Sequence, residues 1–496
     1  MAPLWQTSPN PADLKGAGYS VPVVATQSPA ALSPAASRAV WGPSEVPTTA
    51  LLTDHYELTM LRAALQSGTA NHRSIFELFP RRLPPGRRYG VVAGTGRALR
   101  AIRHFRFDDE SLRFLTDSDI VDARTADWLA DYRFRGNIWG YPEGEIYFPG
   151  SPLVVVEGTF AEGVLLETVL LSIYNHDSAI ASAASRMTLT AGDRPCIEMG
   201  SRRTQELAAV AAARAAYIAG FAATSNLEAG RRYGVPTRGT SAHSFTLLHA
   251  SERDAFAAQL AALGEDTTLL VDTYDVESAV RTGVELTGGR LGAVRLDSGD
   301  LAVLASDVRT LLDSLGATHT RIIVTSDLDE WNIAALSGAP VDGYGVGTAL
   351  VTGSGHPTCG FVYKLVARAS STEPGAPLVA VAKKSRDKIS VGGRKYALRR
   401  LSADGIAEAE VIGVGTAPVG DSNDRQLLVP LVMQGEVAAE ESLDAARERH
   451  LRARAELPRD AHKMSRGEPV IETGFLEADG DQSVNPYATS ESRGTR

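Results

Sequence analysis

Four short apolar runs, each closing on polar or glycine residues, most narrowly limit what this chain can fold into. They are Thr268-Leu-Leu-Val-Asp272, Gly292-Ala-Val-Arg-Leu-Asp297, Arg321-Ile-Ile-Val-Thr-Ser326 and Val341-Asp-Gly-Tyr-Gly-Val-Gly347. Their hydrophobicity is continuous rather than alternating, which suits strands covered on both faces. Helical stretches separate at least the first three, and a period of roughly 20 to 30 residues fits the βα units of a (β/α)8 barrel. An open doubly wound sheet is the competing architecture. The barrel is preferred because it gathers the polar strand ends at one mouth, where such folds place their chemistry.

The remaining chain frames that barrel. With 496 residues, 44% of them hydrophobic, there is material for one large domain and a second. Residues 47–165 mix aromatic, β-prone and helical segments with turns such as Pro84-Pro85-Gly86 and Tyr141-Pro142-Glu143-Gly144, and read as an N-terminal α/β domain. The barrel then takes 166–381, strand-rich chain over 382–429 returns to the first domain, and 430–478 is a C-terminal helical segment. Within that segment Leu443, Ala446, Leu451 and Ala455 have the spacing of a surface helix. Residues 1–46 are rich in Pro, Ala and Ser and are expected to be disordered, as is the tail 479–496.

A net charge of −9 disfavours nucleic acid, so any phosphate recognition must be local. The two cysteines, Cys196 and Cys359, form no CxxC or Cys/His cluster, which fits a reducing compartment and buried thiols. No run approaches the roughly 18 apolar residues of a membrane span, and no basic-then-apolar leader opens the chain. The expected location is the cytoplasm.

The strand ends carry the candidate chemistry. Arg295-Leu-Asp297-Ser-Gly-Asp300 sets a cation and two carboxylates in a tight turn; helix capping accounts for one of these residues but not for all. A fixed guanidinium suits carboxylate or phosphate, and Asp suits ribose hydroxyls or Mg²⁺. Ser326-Asp327 is individually weak, because both are ordinary N-caps. In Gly343-Tyr-Gly345-Val-Gly347-Thr348 the alternating glycines point either to backbone that cradles phosphate or to tight packing. Glu198-Met-Gly-Ser-Arg202-Arg203 offers paired guanidinium groups. Lys383-Lys384-Ser-Arg-Asp-Lys388, with Arg394, Lys395, Arg399 and Arg400 beyond, is either a polyphosphate site or a solvated strand face. His243, in Gly239-Thr240-Ser-Ala-His243, has a side chain able to take a phosphoryl group or move a proton near neutral pH.

Taken together these motifs carry a family resemblance. Leu52-Thr-Asp-His-Tyr56-Glu-Leu-Thr-Met60, Phe76-Glu-Leu-Phe79, Glu198-Met-Gly-Ser-Arg202-Arg203, Gly239-Thr-Ser-Ala-His243, Arg295-Leu-Asp-Ser-Gly-Asp300 and Gly345-Val-Gly347-Thr348 make six ordered matches, and from Leu51 to about Leu457 the chain resembles a nicotinate phosphoribosyltransferase of NAD salvage. The resemblance implies an α/β fold of the type II phosphoribosyltransferase kind: an irregular (β/α) barrel with an N-terminal open-faced α/β sandwich, often a homodimer with the active site near the interface. It implies transfer of nicotinate onto 5-phosphoribosyl 1-pyrophosphate, with Mg²⁺ as cofactor and ATP as co-substrate, in a ligase-type reaction.

By motif position, His243 resembles the histidine that ATP phosphorylates and Asp272 the carboxylate that orients it. Tyr56, reaching from the neighbouring subunit, and Met199, where relatives often have Phe, resemble the pair that sandwiches the pyridine ring. Arg202 and Arg295 are the candidates for the nicotinate carboxylate and the nearby phosphate or ribose, and Asp297 for ribose hydroxyls or the metal. Gly345, Gly347 and Thr348 are expected to hold the 5′-phosphate and Lys384 and Lys388 the polyphosphate, with Thr240 and Ser326 also in the binding site. The rivals are a nicotinamide phosphoribosyltransferase, a quinolinate phosphoribosyltransferase, and a catalytically silent ligand-binding homologue.

Overall fold

A computed structural model describes residues 48–383, 390–476, 482–483 and 487. The disorder expected for 1–46, and for 479–496 apart from those three positions, lies outside the described residues, as do the roles expected of Lys384 and Lys388.

The four apolar runs form strands, and two shorter strands join them. In chain order these are β1 (Cys196–Glu198), β2 (Ala223–Thr224), β3 (Thr268–Leu270), β4 (Ala293–Leu296), β5 (Arg321–Val324) and β6 (Gly343–Val346). All pairings are parallel, in the order β2-β1-β6-β5-β4-β3, which makes a curled half-barrel. A single bridge from Thr224 to Thr237 extends the β2 edge. Beyond Thr237 the chain runs as a loop into the short helix His243–Leu248, in place of a further strand. Parallel strands need covered faces, and Leu269, Val294, Leu296, Ile322, Val324 and Val346 lie in one buried cluster with the surrounding helices.

The N-terminal region centres on the strand Arg73–Pro80, which pairs antiparallel with Phe361–Ala369 on one side and Val154–Thr159 on the other. Its residues alternate faces with period two. Phe76 and Leu78 pack with Leu58 and Leu61 of the helix His55–Ser67, whereas Glu77 meets Lys395 on the opposite face.

Chain over 382–429 returns to this region differently from the expectation. Lys395–Leu401, Ala407–Val414 and Arg425–Gln426 form a third sheet with Glu472–Leu476, and the late strands that enter the N-terminal sheet are Phe361–Ala369, Leu378–Ala380, Val429–Met433 and Glu436–Val437. The third sheet docks through buried charge. Lys395 Nζ lies 2.6 Å from Glu77, Arg394 Nε 2.9 Å from Glu157, and Arg399 Nη2 donates to Glu410 at 2.7 Å and to the Ile146 carbonyl at 3.0 Å. The run is therefore neither an open polyphosphate site nor a solvated face at these three cations, because glutamates already neutralise them.

The segment 430–478 is likewise mixed rather than helical throughout. Its helix, Leu443–Ala455, buries Ala446, His450 and Ala453 and leaves Leu451 44% exposed, so the packed stripe keeps Leu443 and Ala446 of the expected spacing but not Leu451 or Ala455. Among the described residues no helix is long and apolar enough to cross a membrane.

His450 sits fully buried with Nδ1 3.3 Å from the Gly144 carbonyl, and burial followed by the nearby Arg454 pushes its pKa down to about 3. The unfolded chain takes up a proton there as pH falls through about 6.5, and the folded chain does not. This part of the stability is complete above pH 6.5 and declines by about 1.4 kcal/mol per pH unit as pH falls towards 3. Denaturant titrations at pH 7 and pH 5 are expected to show the unaltered chain losing about 2 kcal/mol more than H450Q, which keeps a donor but does not titrate. Parallel losses would mean that His450 is already charged in the fold.

Candidate active site

Because the six strands run the same way, their C-terminal ends share one edge of the sheet. Backbone hydrogen bonds carry the ladder past the strands: Val271 N–H donates to Arg295 O at 3.2 Å, Thr325 N–H to Leu296 O at 2.9 Å, and Met199 N–H to Val346 O at 2.8 Å. The residues that follow each strand are thereby locked beside one another.

Asp272, 3% exposed, accepts from the Asp297 N–H at 3.0 Å and from Ser298 Oγ at 2.7 Å through Oδ2. Its other oxygen, Oδ1, is buried with no hydrogen-bond partner and lies 4.0 Å from His243 Nε2. His243 Nδ1 is 3.1 Å from Thr273 Oγ1, and the imidazole is 42% exposed. A carboxylate facing Nε2 favours the tautomer protonated there and leaves Nδ1 with the lone pair.

Arg295 joins three loops. Nη1 donates to Thr240 Oγ1 at 2.7 Å and to the Ser241 carbonyl at 3.2 Å, Nε donates to Thr325 Oγ1 at 3.1 Å, and Nη2 lies 3.2 Å from Asp297 Oδ2. Thr325 donates in turn to Asp297 Oδ1. A Cβ on Gly345 would stand 2.5 Å from Thr325 Cγ2 and 2.7 Å from Met199 Sδ, so this glycine answers to close packing. Gly347 has room beside it, with Met199 O 3.5 Å from an added Cβ, and Thr348 opens a four-residue helix. His243, Asp272, Asp297, Arg295, Thr240, Gly345 and Met199 are thus brought to one place.

Other expected residues stand differently. Arg202 is exposed in the turn after β1, a turn held by the Asn226 side-chain amide on Ser201 Oγ at 3.0 Å. Ser326 is exposed and adopts φ +115°, a left-handed strand end that costs a non-glycine residue about 1–3 kcal/mol. Tyr56, 43% exposed, is placed with Glu167 and Thr168, where partial burial followed by the Glu167 charge raises its phenol pKa. Among the described residues no hydrogen bond or ring contact joins Tyr56 to Met199 within the chain.

Two residues of the site escaped sequence reasoning. Glu198 is buried, with its carboxyl pKa raised by that burial, and accepts from the Gly200 N–H and Thr224 Oγ1, fixing the turn that carries Met199. Thr325 was hidden because its hydroxyl was read only as part of a strand ending in the better-known capping pair Ser326-Asp327. A polar residue directly after an apolar run was the available signal.

A curled parallel half-barrel, beside an antiparallel sheet that takes strands from both ends of the chain, is the fold of a type II phosphoribosyltransferase. Residues 51–175 match the family model of the nicotinate phosphoribosyltransferase N-terminal domain. The chain is 57% identical to nicotinate phosphoribosyltransferase pncB1 of Mycobacterium tuberculosis over 90% of its length and 99% of the relative's. It is 37% identical to the nicotinate phosphoribosyltransferase of Bacillus subtilis, over 77% and 79% of the two chains. The crystal structure of human nicotinic acid phosphoribosyltransferase superposes with a TM-score of 0.73 at 27% identity, covering 85% of this chain and 97% of that one. The chain belongs to the nicotinate phosphoribosyltransferase family.

Gly345→Ala tests the packing at the mouth. The added methyl must displace both Thr325 and Met199, and denaturant titration is expected to show a loss of about 1–3 kcal/mol. An unchanged midpoint would mean that both side chains move aside freely.

Proposed function

We propose that this protein is a cytoplasmic nicotinate phosphoribosyltransferase of NAD salvage. It joins nicotinate to 5-phosphoribosyl 1-pyrophosphate, releases pyrophosphate, and couples the transfer to ATP hydrolysis. The observation that carries the reading is the continuous set of contacts from His243 through Asp272 and Asp297 to Arg295 at one mouth, in a chain of this family.

In the transfer step the nicotinate ring nitrogen forms a bond to C1′ as the C1′–oxygen bond to pyrophosphate breaks. Positive charge develops on the ribose and negative charge on the leaving group, so groups fixed beforehand at both ends lower the barrier. Asp297 faces the ribose, and Gly345, Gly347, Thr348 and Ser326 surround the 5′-phosphate. Arg202 and Arg295 supply guanidinium groups for the nicotinate carboxylate and the phosphoribosyl group; a neutral amide would leave such a cation unpaired. Met199 packs on the ring, with Tyr56 of a second copy on its other face in a homodimer. Lys384 and Lys388 serve the polyphosphate.

Mg²⁺ commonly takes only one or two protein carboxylates together with substrate phosphates, and Asp297, partly exposed beside the mouth, fits that pattern. When bound, the metal would screen the charge of the pyrophosphate.

For the ATP half-reaction, Asp272 Oδ1 holds the Nε2 proton of His243 and Nδ1 attacks the γ-phosphorus as ADP departs. Water later cleaves the P–N bond, releasing phosphate and restoring the imidazole. Charge added and removed in this way alternately tightens and loosens the mouth.

Purified protein with nicotinate, 5-phosphoribosyl 1-pyrophosphate and Mg²⁺ is expected to form the mononucleotide, faster with ATP, and to favour nicotinate over nicotinamide by at least about 100-fold in kcat/KM. After incubation with γ-labelled ATP and alkaline work-up, label belongs on His243. H243A is expected to keep slow transfer without the ATP-dependent gain. Label on another residue, or none, removes the phosphohistidine, and equal use of the amide makes this a nicotinamide enzyme.

A further inference from the structure

We propose, on the reading of the site given above, that Thr325 is a positioning residue whose hydroxyl holds the Arg295–Asp297 pair to a single contact, in the orientation that offers both to the substrate. Thr325 is 4% exposed, and its backbone N–H, on Leu296 O at 2.9 Å, fixes it in the β5–β4 ladder. Oγ1 accepts from Arg295 Nε at 3.1 Å while donating to Asp297 Oδ1. One donor and two lone pairs allow both contacts at once.

The rest of the guanidinium is nearly committed. Nη1 is used by Thr240 and Ser241, and one N–H of Nη2 faces Asp297 Oδ2, which leaves the second Nη2 N–H for a ligand. Thr325 therefore stands between Nε and Oδ1, the two atoms whose direct contact would complete a bidentate ion pair. Without its hydroxyl, Nε–H and Oδ1 are both left unpaired, and the pair closes into that fork-to-fork geometry. The closed pair withdraws the carboxylate from the ribose and turns the remaining N–H away from the mouth. Branching at Cβ stiffens χ1, and the methyl sits against Gly345, so the hydroxyl has little freedom to let go.

Two substitutions separate this role from simple packing. T325V keeps the methyl and the shape but removes the hydroxyl; T325S keeps the hydroxyl and removes the methyl. Positioning predicts that T325V lowers kcat/KM for 5-phosphoribosyl 1-pyrophosphate by about 10- to 100-fold, the worth of hydrogen bonds to charged groups. The conservative T325S is expected to rescue at least about tenfold of that loss, although thermal melting ranks it the less stable. A packing role gives the reverse order of activity and overturns the proposal, as does T325V at the level of the unaltered protein. Turnover of nicotinate by the unaltered protein tests the underlying reading separately. If it fails, calorimetric titration with 5-phosphoribosyl 1-pyrophosphate and Mg²⁺ decides: weaker binding by T325V than by T325S supports the spacer, and equal or absent binding overturns it.

Discussion

The parallel hydrogen-bonded ladder is the constraint on which the mouth depends. Strands of two to four residues would be marginal alone, yet their apolar side chains are packed in one buried cluster and the backbone bonds continue past the strand ends into the residues of the mouth. Asp272, Asp297, Thr325 and Met199 follow strands that are hydrogen-bonded neighbours or next neighbours in the sheet. Their spacing is set by the backbone, and their side chains need little additional ordering when a ligand arrives.

Charge supports this frame from the other half of the molecule. The third sheet is fastened to the N-terminal region by Lys395–Glu77 and by Arg399, which meets Glu145 and the Ile146 carbonyl while Glu410, on the neighbouring strand of its own sheet, balances its charge; all of these charged side chains are almost without solvent access. Tyr141 also donates to Glu410, at 2.7 Å. Such pairs add less net stability than apolar contacts of equal volume, but losing one partner costs about 3–5 kcal/mol because a buried charge is stranded.

Much of this was legible in the order of the residues. The runs beginning at Thr268, Gly292, Arg321 and Val341 became β3 to β6 because strands covered on both faces need apolar residues without alternation, a local property. Asp272, Arg295 and Asp297 were visible as polar residues where those runs stop, and His243 as the histidine of the small-residue loop Gly239–His243. Arg394, Lys395 and Arg399 misled, because partners such as the glutamate that neutralises Lys395 lie as far as 318 positions away and no local pattern announces them. Part of the buried stripe of Leu443–Ala455 was missed for a related reason: beside the expected Ala446 it is filled by His450 and Ala453, and small or polar side chains leave little apolar periodicity. Thr325 stood directly after an apolar run, but what it and Glu198 hold became recognisable only when their partners on adjacent strands were known.

The helix Glu167–Ala191 passes through both regions without interruption. At its start the Glu57 carboxylate accepts from the Thr168 N–H at 2.9 Å, next to Tyr56; near its end Arg186 Nε meets Glu330 at 3.1 Å, on the short helix that follows the Ser326 turn. At about 1.5 Å per residue this is a rod of some 37 Å, stiff on the scale of a side chain. The tyrosine-bearing helix and the sheet are consequently held at a set distance and a set angle. One residue inserted midway would turn either end against the other by about 100°, so the length of this helix is as much a part of the site's geometry as the side chains at the mouth.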